Sequence, residues 1–184
     1  AASDVYKRQG VELACIDVET GERKRLRARA AVYAGKLHTA PHIFGDLPTD
    51  QHEAMSDLNY SPWLVAALHL SEKDHGFATE MAWENILYEG PSVGYVRVGQ
   101  QTSGAETLVY YRPFTGDAAG ARSALLEHGH QYWADAVMTD LTRAHPTLSD
   151  VVERLDVYLW GHGMVRPLPN VIWGSGRTLR ERPH

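Results

Sequence analysis

The densest grouping of chemically special residues lies late in the chain, in Trp160-Gly-His-Gly-Met-Val-Arg-Pro-Leu-Pro169. Gly161 and Gly163 flank a single histidine, the pattern of backbone that passes close to another group, with the imidazole expected at the end of a strand. An imidazole there can shuttle a proton or orient a donor. Arg166 precedes Pro167, which biases it to an extended conformation from which its guanidinium can meet a carboxylate or a phosphate. A core histidine beside a structural arginine would give the same string.

Aromatic residues form the second informative population. Trp63, Trp83, Tyr88, Tyr95, Tyr110, Tyr111, Trp160 and Trp173 lie on or beside strand-like runs, each an apolar body carrying a donor that wants a partner. Some are core; the others would line a pocket for a flat or cationic ligand. Of the 10 histidines only His38/His42 and His128/His130 are close in sequence, and no carboxylate completes a zinc spacing, so no metal is expected. G-x-G-x-x-G, Walker A, H-E-x-x-H, C-x-x-C and G-x-S-x-G are all missing.

The elements that must position these residues are legible from periodicity. Val11–Val18 and Arg23–Tyr33 read as a hairpin about Glu19-Thr-Gly-Glu22. Arg23, Arg25, Arg27 and Arg29 share one face of the second strand, a solvated face, and that strand is expected to end in Val32-Tyr33-Ala34-Gly35. Trp63–Leu70, Glu80–Leu87, Val93–Gln100 and Glu106–Arg112 predict an antiparallel meander. Asp117 is placed to cap one long helix to about His145, with Leu126, Trp133, Val137 and Leu141 as its buried stripe and Pro146 as its end. Thr147–Asp150 opens a short helix to about Leu155, and a last strand covers Asp156–Trp160. The fold class is α+β: a mostly antiparallel sheet with helices on one face.

Composition narrows the function classes. The 184 residues carry 18 Lys+Arg against 23 Asp+Glu, a net charge of −5, and no basic run follows one helix face. That is not the electrostatic footprint of a nucleic-acid binder. Pro62–Ser71, the longest charge-free apolar run, has about half the ~20 residues of a membrane-spanning helix. Cys15, the single cysteine, suits a reducing compartment, and a cytoplasmic setting is expected. Ala1–Gln9 is expected to be a non-native leader, and the stop at Arg182-Pro-His184 without a capped element reads as a cut end.

Several strings in register carry a resemblance. Tyr60-Ser-Pro-Trp63, Met81-Ala-Trp-Glu-Asn85 with Ile-Leu-Tyr88, Ser92-Val-Gly-Tyr-Val96 with Gln100, Val109-Tyr-Tyr-Arg-Pro113, and Leu159–Pro167 with Ile172-Trp-Gly174 resemble the second half of FAD-dependent, amine-oxidase-like oxidoreductases. The match runs from about Gly10 to Arg177.

The resemblance implies a flavin-dependent oxidoreductase whose FAD accepts or gives hydride against a small organic substrate, with an amine as the family's label. It divides the chain into residues 10–57, part of a Rossmann-like FAD domain, 58–157, a substrate domain, and 158–184, a return toward the flavin. Tyr33, Ala34, Gly35, Trp160 and Gly161 would then lie by the cofactor. His162 and Arg166 would be the catalytic candidates, and Trp63, Trp83, Asn85 and Tyr95 would line the substrate pocket. The glycine-rich pyrophosphate loop of that family is not in this sequence, nor is its closing strand and flavin-facing helix. The rival reading is a cofactor-free ligand-binding or interaction module with an aromatic groove; a histidine-based metal hydrolase ranks behind both.

Overall fold

A computed structural model describes residues 10–71, 82–98 and 106–182. The chain divides into two compact units, 1–46 and 47–184.

In the first unit, β1 (Val11–Ile16) pairs antiparallel with β2 (Arg23–Ala28), in register from Val11↔Ala28 to Ile16↔Arg23. Asp17 builds the turn: its Oδ1 accepts the N–H groups of Glu19 and Thr20 at 3.1 and 3.0 Å, and Gly21 adopts φ +71°. The Lys24 ammonium on the other carboxylate oxygen, with those N–H groups, holds the Asp17 carboxyl down to about 2. Arg25 and Arg27 are exposed and reach Glu12 across the ladder, so the arginine face is solvated as the alternation predicts. The second strand stops at Ala28 instead of Tyr33, because among the described residues β1 offers no partner beyond Val11. After it the chain enters a 3-10 turn at Leu37–His42, where the hydroxyls of Tyr33 and Thr39 both donate to the Lys36 carbonyl.

The second unit is a five-stranded antiparallel sheet with helices. It contains α1 (Thr49–Ser56), β3 (Tyr60–Leu70), β4 (Glu84–Asn85), β5 (Gly94–Arg97), β6 (Thr107–Pro113), α2 (Ala118–Leu126), α3 (His130–Thr142), β7 (Val152–Val165) and α4 (Ser175–Arg180). Strand order is β4-β5-β6-β3-β7. The meander holds for β4, β5 and β6, but β3 lies between β6 and β7. Long and largely apolar, it is suited to the centre, and one face of it, Tyr60, Pro62, Leu64, Ala66, Leu68 and Leu70, is buried.

Asp117 caps α2 by accepting the Gly120 N–H at 2.6 Å. The single long helix predicted from the sequence is two helices, because Gly129 is extended and restarts the chain as the N-cap of α3. The restart rotates the stripe: Leu125, not Leu126, joins Trp133, Val137 and Leu141 in the core, and Leu126 is 55% exposed. The short helix expected to Leu155 is a 3-10 turn at Leu148–Asp150, since from Val152 the chain pairs with β3. α2 packs on β3 and β7, and α3 on β7.

Two polar connections tie α3 and the residues after it to the sheet. Asp140, 4% exposed, accepts the Ser92 hydroxyl at 2.7 Å and the Tyr110 hydroxyl at 2.9 Å. Tyr95 and His145 Nε2 are hydrogen-bonded at 2.6 Å. The architecture is α+β, and among the described residues no helix is long and apolar enough to cross a membrane.

Candidate functional site

The two faces of the sheet differ. Opposite the helices, β3 presents Trp63, Val65, Ala67 and His69 half-buried, and their ladder partners on β7 include Trp160 and Tyr158, which are 50% and 48% exposed. One end of this face is aromatic. At the other end His69 Nε2 lies 3.0 Å from Asp156 Oδ2 and 2.9 Å from an Arg154 nitrogen.

At the aromatic end the β3–β7 ladder is irregular. Trp63 faces Trp160 and Ser61 faces Met164, so Gly161-His162-Gly163 stand against Pro62 alone. The sequence places His162 at a strand end; the strand instead runs on to Val165, with the histidine inside a bulge. Bulges bend an edge and re-aim side chains, and the glycines permit this one by leaving room for neighbours. A Cβ on Gly161 would lie 3.3 Å from Arg122 Cγ, and one on Gly163 would lie 2.7 Å from Trp63 Cδ1. The His162 ring meets Tyr60 edge-on, centroids 6.0 Å apart at 74°.

Arg166 closes the cluster. Its backbone N–H donates to the Asn59 carbonyl at 2.8 Å, its Nε to Ser61 Oγ at 2.8 Å, and its Nη1 to the Gly116 carbonyl. It therefore joins the start of β3, the end of β7 and the loop before α2. Its Nη2 and the Trp63 indole nitrogen are buried and make no hydrogen bond among the described residues. Each is a buried donor without a partner among those residues, a cost the surrounding packing offsets.

Trp63, Trp160 and the two glycines thus meet at the bulge, while the His162 ring lies against Tyr60 of the buried face and Arg166 against Ser61. Trp83, Asn85 and Tyr95 lie elsewhere. Trp83 is 52% exposed beside β4 at the far edge of the sheet, and the Asn85 amide is spent on both backbone groups of Ala82. Tyr95 is 2% exposed on the helix side, where burial pushes its phenol up to about 12. In the first unit a Cβ on Gly35 would overlap the Tyr33 ring, so that glycine's space is filled by its own neighbour.

Sequence reasoning missed Ser61, Arg122 and the Gly116 carbonyl as parts of the cluster. Ser61 was within reach, inside Tyr60-Ser-Pro-Trp63. Arg122 was not, because only the α2 packing brings it under β7. Among the described residues no group of three or more His, Cys, Asp or Glu side chains could hold a metal. A separate cavity of about 370 Å³ lies between α1 and residues 168–180, with Asp50, Glu53 and Asp57 on one wall.

The aromatic end offers a flat ring the half-exposed indole of Trp160.

No protein-family model matches the chain, and no curated protein matches it. Among solved structures, cyclohexylamine oxidase from Brevibacterium oxydans IH-35A is similar with a TM-score of 0.58 at 18% identity, over 83% of this chain. The chain spans about a third of that protein's length, 32%. At such an identity the likeness is one of fold: this chain has an amine-oxidase-like fold.

Proposed function

We propose that the chain is the substrate-facing part of a flavin-dependent oxidoreductase that moves hydride between FAD and a small organic substrate, in the first instance an amine. The observation that supports this most is the bulged, aromatic end of the open sheet face in a chain of amine-oxidase-like fold. Bound FAD would supply the redox chemistry, and the protein orientation and exclusion of water.

In this reading Trp160 and Gly161 are the residues of the second unit that meet the flavin ring, and Tyr33, Ala34 and Gly35 are cofactor-binding candidates of the first unit taken by itself. Trp160 covers the substrate, with Trp63 beside it on the same sheet face. His162 orients it or carries a proton, its ring backed by Tyr60. Arg166 holds the start of β3 and the loop before α2 in place, and its charge favours a substrate with an acidic group. Trp83 would border the entrance, while Asn85 and Tyr95 act from behind by holding the sheet. The setting is cytoplasmic, and neither nucleic acid nor metal is a partner.

The test is anaerobic mixing of the protein from the complete reading frame with small primary amines. Bleaching of a yellow chromophore supports the reading. A cofactor-free module, the reading favoured by the missing phosphate loop, would bind the same compounds without any colour to lose.

A further inference from the structure

The bulge of the candidate site is held from the helix layer by one side chain of the cluster. Arg122, on α2, donates from Nε to the Gly161 carbonyl at 3.1 Å, and its Cγ and Cδ lie 3.3 and 3.4 Å from where a Gly161 Cβ would stand. It therefore fills the space the glycine vacates and bonds the backbone at the same point. The contact falls at the first residue of the bulge, between Trp160 and His162. A carbonyl at such an irregularity is out of step with the ladder, and a donor from the helix layer fixes one geometry where several are open.

On the far side of the strand the Trp63 ring lies against Gly163, so the bulge is gripped at both ends. We propose that Arg122 is a positioning residue for this site. Its guanidinium sets the bulge, and through the bulge it sets the aim of Trp160 and His162. The inference deepens the flavin reading and rests on it only for its effect on turnover; the effect on the bulge stands without a cofactor.

The experiment separates the two. The chain is labelled with 5-fluorotryptophan, its signals assigned by single Trp→Phe replacements, and Arg122→Met and Arg122→Lys are compared by fluorine NMR. The expected result is that Arg122→Met moves or broadens the Trp160 and Trp63 signals, leaves Trp83 unchanged, and that Arg122→Lys restores part of the original spectrum. Gly161→Ala, which pushes the same stem away from the other side, should disturb the same two signals, so the test survives if Arg122→Met does not fold. Unmoved Trp160 and Trp63 signals in a folded variant overturn the proposal. In the flavin-loaded protein Arg122→Met should lower kcat about tenfold or more at unchanged flavin content. A colourless parent would remove the flavin reading and leave the NMR result to decide the role of Arg122.

Discussion

Trp63 and Trp160 are direct partners across β3 and β7, and the ladder loses its register in the next step beyond them. The pair marks where regular sheet ends and the irregular site begins. Its two members differ: Trp160 is half-exposed, whereas the Trp63 ring is wedged against Gly163 with its nitrogen buried.

Replacing Trp160 should therefore separate function from stability. Trp160→Ala is expected to cost under about 1 kcal/mol in a denaturant titration, while Trp133→Ala costs roughly 3–5 kcal/mol because it empties the core. Ligand affinity should move the other way, falling for Trp160→Ala. Equal destabilisation by both would place Trp160 in the core.

Gly163→Ala should destabilise by about 1–3 kcal/mol, because the new methyl overlaps the Trp63 ring. In a Trp63→Ala background the same change should cost far less, since the ring it strikes is gone. Urea midpoints of the four proteins give the coupling, and additive effects would show that the two residues do not touch.

His145 gives the fold a pH dependence. Burial holds its imidazole below the ordinary value, so in the folded chain it stays neutral and can accept the Tyr95 hydroxyl. The unfolded chain takes up the proton near pH 6.5. The stability from this contact is therefore complete above about pH 6.5 and is lost as the pH falls below it. Unfolding curves between pH 8 and 5 should show that decline, and His145→Gln should flatten it.

Apolar side chains stand open on this chain: Trp173 is 76% exposed, Tyr88 84%, Ile86 64% and Met164 57%. In isolation it should self-associate at micromolar concentration. Sedimentation velocity checks this, and a single compact monomer would contradict it.

The sequence made the two faces of β3 legible, because period-two burial there is a local pattern that survives folding, whereas β2 keeps its solvated arginine row but leaves Leu26 on the other face exposed too. It also made Asp117 legible as a cap. It did not reveal the break at Gly129, since a glycine inside a helical stripe is tolerated as often as it interrupts, and only the packing of Leu125 and Trp133 decides. The two glycines around His162 were correctly singled out as close-approach positions. What approaches them, Arg122 and Trp63, comes from 39 and 100 residues away in sequence, and no local pattern encodes such a pairing.

A flavin seated against the aromatic end of the sheet would give the whole protein a colour. Purified from its complete reading frame, the protein should carry one tightly held FAD per chain, visible as a yellow absorption and released on denaturation. A well-folded protein that is colourless, and that stays colourless after incubation with FAD, would contradict the flavin reading.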